Sequence, residues 1–149
     1  MRTSPNNKYL ITGLAYSFQA HRDTWFSAPL NQLNWWLPIF EIKQENCLAF
    51  HPNYWNKAVK NGSLDYNCYD WYAEGRRLTE TKQNDTRKRP EPLESMDMSQ
   101  QVRIICNVGG IILFSGAQMY STVPNTSGRT RWSIDFRTVH IDDVISQNG

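Results

Sequence analysis

The chain has 149 residues, long enough for one domain that buries roughly two thirds of its unfolded surface. Its 16 basic and 14 acidic residues are interspersed and leave a net charge of +2, which argues against a nucleic-acid surface and against a basic membrane patch. Cys47, Cys68 and Cys106 are odd in number and lack a Cys-x-x-Cys spacing, which argues against a disulfide framework or a zinc cluster and for a reducing, cytoplasmic setting.

Six Trp, seven Tyr and six Phe support a core rich in β-structure. The first strand region runs from Lys8 to Asp23, with Leu14, Tyr16 and Phe18 alternating with Ala15, Ser17 and Gln19. Its early apolar run is broken by Thr12 and Gly13, too short for a signal sequence, and nothing in the chain approaches a membrane span. A second strand spans Leu33 to Ile42, with Pro38 arguing for an edge or a bulge. A third, Cys47 to His51, is closed by Pro52, and His51 reads as a hydrogen-bonded packing residue rather than a ligand. Between Asn53 and Leu78, aromatics set among polar residues and an Asn61-Gly62 turn give a short helix and a loop. Thr79 to Gln101 is polar, with Arg87-Lys88-Arg89 at its centre, and reads as a loop or lid whose basic run is a solvated turn. Gln101 to Cys106 is a strand, Gly109-Gly110 a turn, and Ile111 to Ser115 a buried strand leading to Tyr120. Three Asn-x-Ser/Thr triplets, at Asn61, Asn84 and Asn125, read as turn chemistry without a secretory signal.

The last stretch, Phe114 to Arg137, reads as strand, tight turn over Pro124 to Gly128, and strand. Thr130, Trp132, Ile134 and Phe136 alternate with Arg131, Ser133, Asp135 and Arg137, so one face is apolar and the other holds two arginines. Such a polar row reads first as a solvated sheet face. A guanidinium with a hydroxyl two residues along the same face also suits a carboxylate. Upstream, His21 and Asp23 share a strand face in this reading, and an imidazole beside a carboxylate supplies two of the three ligands of a facial metal triad.

His-Arg-Asp-Thr-Trp at 21–25, Gln-Leu-Asn-Trp-Trp-Leu-Pro-Ile at 32–39 and Val-Pro-Asn-Thr-Ser-Gly-Arg-Thr-Arg-Trp-Ser-Ile-Asp-Phe-Arg at 123–137 together resemble the phytanoyl-CoA dioxygenase family. The resemblance runs from about Leu14 to Val144, with a poorly matched middle. It implies a mostly β fold, a double-stranded β-helix or cupin-like jelly roll over residues 1–149, with a helical and loop insert and a polar loop insert at about 79–101. It also implies an iron(II)- and 2-oxoglutarate-dependent oxygenase that hydroxylates a small organic substrate. His21 and Asp23 would hold Fe(II), and Arg131, helped by Ser133, would bind the distal carboxylate of 2-oxoglutarate; Arg137 is the weaker candidate for that task.

One position departs from the family. Its second histidine ligand falls eleven residues before the oxoglutarate arginine, and here that residue is Tyr120. A phenol with an ordinary pKa near 10 is a poor ligand for iron(II). The alternative reading is therefore a non-catalytic jelly-roll binding or partner subunit that has lost the metal. A homo-oligomer, or a partner that completes the barrel, is compatible with either, because relatives in that family extend further at both ends.

Overall fold

The protein was studied as a computed structural model, which describes residues 1–7, 19–80, 87 and 89–148. Seven short strands and two helices follow one another: β1 (Arg2–Ser4), β2 (Leu33–Pro38), β3 (Leu48–Phe50), α1 (Cys68–Glu80), β4 (Val102–Ile104), β5 (Ile112–Ser115), β6 (Tyr120–Thr122), β7 (Arg131–Thr138) and α2 (Ile141–Ile145). All pairings are antiparallel, in a four-stranded sheet of order β1-β7-β2-β5 and a three-stranded sheet of order β4-β3-β6. From β4 onward each strand passes to the other sheet, and the fold is a mostly β jelly roll.

The core fills the space between the sheets. Trp36 and Ile112 from the first meet Leu48, Ala49, Phe50 and Tyr120 from the second, with Ile42, Cys47 and Val123 around them. Each fully buried large side chain of this kind stabilises the fold by about 1.5–3 kcal/mol. A second cluster, Ala20, Trp25, Tyr54, Val59 and Met119, packs with Phe26, Met96 and Met98. It ties the segment around His21 to the loops after β3 and before β4.

Several elements differ from the sequence reading. The alternating run Leu14, Tyr16, Phe18 lies outside the described residues. Asp23 opens a 3-10 helix (Asp23–Phe26) instead of continuing a strand, while His21 forms an isolated bridge to Tyr120. Pro38 does not mark an edge: β2 lies between β7 and β5, with Pro38 at its last paired position, opposite Ser133. The stretch 114–137 is not a hairpin, since β6 belongs to one sheet and β7 to the other. β5 is an edge strand on which Ile112 is buried and Leu113 exposed.

The largest reversal concerns β7. Arg131 and Ser133 are buried and face inward, whereas Ile134 and Phe136 are each 44% exposed on the outer face, beside Leu33 at 41% and Leu113 at 50%. Trp35 stacks on Phe136 there, 5.6 Å between ring centroids. The polar row thus lines the interior at Arg131 and Ser133 and reaches solvent only toward Arg137.

Other expectations hold locally. His51 is buried, its Nε2 2.9 Å from Ser121 Oγ. The helix α1 starts at Cys68 because Asn67 Oδ1 accepts from the amides of Tyr69 and Asp70, leaving fewer orphan donors. Arg87 and Arg89 do not form a solvated turn: their guanidiniums lie 3.5 and 4.7 Å from the Trp71 ring centroid, and Arg87 Nη1 donates to the Trp71 carbonyl at 2.6 Å. No helix among the described residues is long and apolar enough to cross a membrane.

Candidate functional site

The site forms where β6 and the segment before the Asp23–Phe26 turn run side by side. His21 and Tyr120 exchange both backbone hydrogen bonds at 3.0 Å, which sets their side chains on one face with ring centroids 4.5 Å apart. On the other side of β6, Phe50 pairs with Tyr120, and Phe114 closes the ring cluster 4.9 Å from the Tyr120 ring. Asp23 is swung beneath them by the turn that starts there, its amide donating to Gly116 O at 2.9 Å. Gly116 has to be glycine for this approach: a Cβ there would meet Gln32 Cβ at 3.2 Å and Gln32 O at 3.3 Å. Arg22, which points the other way, clamps the segment by donating to the carbonyls of Ala117, Tyr54 and Lys57.

Both Asp23 oxygens are engaged. Oδ1 accepts from the Tyr120 hydroxyl at 2.8 Å and lies 3.7 Å from His21 Nε2. Oδ2 accepts from Gln32 Nε2 at 3.2 Å and from Arg137 Nε at 3.3 Å. Arg137 also donates to Asp135 Oδ2 at 2.7 Å, and Asp135 Oδ1 pairs with Arg2 at 3.0 Å. A ladder of alternating charge, Asp23–Arg137–Asp135–Arg2, therefore runs from the candidate metal residues across β7 to β1.

Protonation follows from burial. The Tyr120 phenol is pushed far above its ordinary value by burial and by the neighbouring Asp23 carboxylate, so it is a neutral donor. Burial lowers the His21 imidazole despite the opposing pull of Gln19 and Asp23. His21 Nδ1 lies 2.8 Å from Gln19 O, and a carbonyl only accepts, so the neutral ring carries its proton there and turns the Nε2 lone pair toward Asp23. Burial is the largest single influence on Arg137 and works against its charge, but Asp23, Tyr120 and Asp135 together outweigh it and hold the guanidinium above its ordinary value.

Arg131 stands apart from this ladder. It is 7% exposed, its Nη1 donates to Asn46 O at 2.9 Å and lies 3.5 Å from Cys47 O, and no carboxylate among the described residues forms an ion pair with it. Burial pulls it down to about 10, still protonated at neutral pH. Its Nε, Ser133 Oγ on the same strand face and Asn34 Nδ2 on β2 are all buried without a hydrogen-bond partner. Arg131, Asn34, Trp36, Tyr120, Arg137 and Arg2 help to line a cavity of about 40 Å³ between the sheets. At about 10–15 Å³ per water, that is room for roughly three waters or one carboxylate head.

The structure brings the side chains of His21, Asp23 and Tyr120 together, with Arg131 and Ser133 on the inward face of β7. His140 belongs elsewhere: it caps α2 by accepting from the Asp142 amide at 3.2 Å. The sequence reading missed Gln32, Asn34 and Arg2, and did not pair Arg137 with Asp23. The signal was present in phase: Gln32 and Asn34 lie two apart beside β2's inward Trp36, and Arg137 repeats the face of Arg131.

An iron(II) centre does not fit this donor set. Among the described residues no group of three His, Cys, Asp or Glu side chains converges. The third position is filled by a phenol that spends its proton on Asp23. The carboxylate that would face a metal is already compensated by a guanidinium.

No family model matches the sequence, and no curated protein matches it. Solved structures do. EvdO2 from Micromonospora carbonacea var. aurantiaca is 15% identical with a TM-score of 0.56, over 92% of this chain and 49% of that one. Its complex with 2-oxoglutarate gives 16% and 0.53, over 82% and 45%. ThoJ, a non-heme monooxygenase in its apo form, gives 11% and 0.53, over 91% and 42%. The chain spans less than half the length of each of these structures. At such identities the likeness shows the jelly-roll fold alone, and it does not single out the phytanoyl-CoA dioxygenase family.

Proposed function

We propose that this chain binds a small carboxylate of the 2-oxoglutarate class between its sheets, with Arg131 as the anchor. The observation that carries the reading is the buried Arg131 guanidinium with no acidic partner among the described residues and an unpartnered Nε. Burying a lone charge costs several kcal/mol, about as much as a pairing anion restores, so such a residue is retained where a ligand supplies the anion. Trp36, 5.5 Å from the guanidinium, and the Asn46 and Cys47 carbonyls fix the fork in place before the ligand arrives. Asn34, which lines the same cavity, has a buried Nδ2 left to donate. One structural neighbour, EvdO2, is complexed with 2-oxoglutarate, which supports the choice of ligand class.

A second reading makes the chain an iron(II)- and 2-oxoglutarate-dependent dioxygenase that hydroxylates a small organic substrate. One observation favours it: the His21 Nδ1 proton is fixed by Gln19 O, which leaves Nε2 turned toward Asp23, as a metal-ligating imidazole is commonly held. The Tyr120 and Arg137 contacts to Asp23 weigh against it. Calorimetric titration with 2-oxoglutarate in chelator tests the first reading, and its loss in the parent protein sinks it. Succinate formation with iron(II) and ascorbate, absent from an Asp23→Ala control, would move the assignment to the second.

A further inference from the structure

We propose that Arg137 occupies the role a divalent cation would play beside His21 and Asp23, so that carboxylate binding in the adjoining cavity is independent of metal. The inference rests on the carboxylate-binding reading for its second half only; the first half concerns metal alone.

The argument is one of charge and geometry. Asp23 brings one negative charge, and Arg137 meets it through Nε at 3.3 Å while Gln32 shares the same oxygen at 3.2 Å. The opposite oxygen holds the Tyr120 hydroxyl at 2.8 Å. Along the ladder, two acids, Asp23 and Asp135, are matched by two bases, Arg137 and Arg2. A divalent ion placed at Asp23 would add two uncompensated positive charges beside a guanidinium that already meets that carboxylate at 3.3 Å, and like charges so close repel. It would also have to displace the Tyr120 or Arg137 hydrogen bond. Arg131 is the one lining arginine outside the ladder, so one carboxylate group of the ligand finds its counter-charge there without help from a metal.

The test uses Mn(II) as the probe and no organic ligand. Mn(II) binding is followed by the loss of the free-ion electron paramagnetic resonance signal in parent, Arg137→Lys, Arg137→Gln and Tyr120→His/Arg137→Gln proteins, with circular dichroism to confirm folding. Parent and Arg137→Lys, which keeps the charge, are expected to bind weakly. Arg137→Gln should bind on the order of tenfold tighter, and the double variant, which adds an imidazole, tighter again. Stoichiometric Mn(II) binding by the parent, or no gain in either Gln variant, overturns the proposal. 2-Oxoglutarate titrated into the parent in chelator and in Mn(II) should give equal affinities. A parent that ignores both Mn(II) and 2-oxoglutarate would sink the carboxylate reading and leave the role of Arg137 standing.

Discussion

Arg131 and Arg137 point from the same face of β7, and their surroundings give them opposite tasks. Arg137 is spent on Asp23 and Asp135; Arg131 has two carbonyls and no counter-ion among the described residues. Two substitutions separate these roles. Arg131→Met keeps much of the volume and removes the charge. Relief of a lone buried charge offsets the lost bonds to Asn46 and Cys47, so the ligand-free unfolding free energy should stay within about 1 kcal/mol of the parent in urea titrations. Carboxylate binding should meanwhile weaken by about 2–5 kcal/mol, read by calorimetry. A fall in ligand-free stability of about 3 kcal/mol or more would make Arg131 a structural tie instead. Tyr120→Phe removes the one hydroxyl on Asp23 Oδ1 and leaves a buried oxygen short of a donor. It should cost about 1–3 kcal/mol of stability, and a neutral result would mean that water or His21 takes the place of the phenol.

At the scale of elements, the sequence was legible wherever the local pattern had one physical meaning. β2 and β3 fall where alternation and Pro52 place them, and a helix follows within the stretch read as a helix and a loop. The facing of β7 was not legible, because binary patterning assumes that the apolar row is the inner one. Here the interior of the barrel is lined by arginine and serine, and Trp132, Ile134 and Phe136 turn outward. The same assumption would turn Asn34 outward, yet it is buried at 4% exposure on the inward face of β2. Asp23 could not be placed from spacing either, since its position depends on a turn held by Gly116 some ninety residues away. That dependence is testable. Gly116→Ala puts a methyl 3.2–3.3 Å from Gln32, which must retreat together with its bond to Asp23. The substitution should destabilise by about 1–3 kcal/mol in urea titrations, whereas Phe136→Ser, on the outer face, should cost clearly less.

His51 links the second sheet to the pH response of the fold. Burial lowers its imidazole below the ordinary 6.5, so the folded state holds a neutral ring bonded to Ser121. Between the folded value and 6.5 the unfolded chain binds more protons than the folded one, so its contribution is complete above pH 6.5 and is lost as pH falls. His21, also lowered by burial, acts in the same direction. The urea midpoint should therefore drop between pH 7 and pH 5, and His51→Gln, which retains a hydrogen-bonding group for Ser121, should flatten that drop. An unchanged pH profile in the variant would remove His51 from the account.

For the molecule as a whole, the two sheets close over a cavity whose lining arginine carries a charge that no described carboxylate meets, so the ligand-free state keeps an electrostatic cost inside its core. A carboxylate that binds only the folded state lowers that cost and stabilises the fold by mass action. At a concentration of about one hundred times Kd the gain is about 2.7 kcal/mol, and for a chain of this size each kcal/mol raises Tm by roughly 2–4 °C, so a shift of roughly 5–10 °C is expected. The shift should appear with 2-oxoglutarate in chelator, remain the same on adding Mn(II), and vanish in Arg131→Met. Arg137→Gln should lower the starting Tm, because it breaks the pairing with Asp23 and Asp135, yet retain most of the ligand-induced rise. If the rise required Mn(II), the carboxylate would be reaching a metal at His21 and Asp23, and the hydroxylase reading would replace the present one. If no carboxylate moved Tm at all, the charge on Arg131 would have to be met by a group outside the described residues.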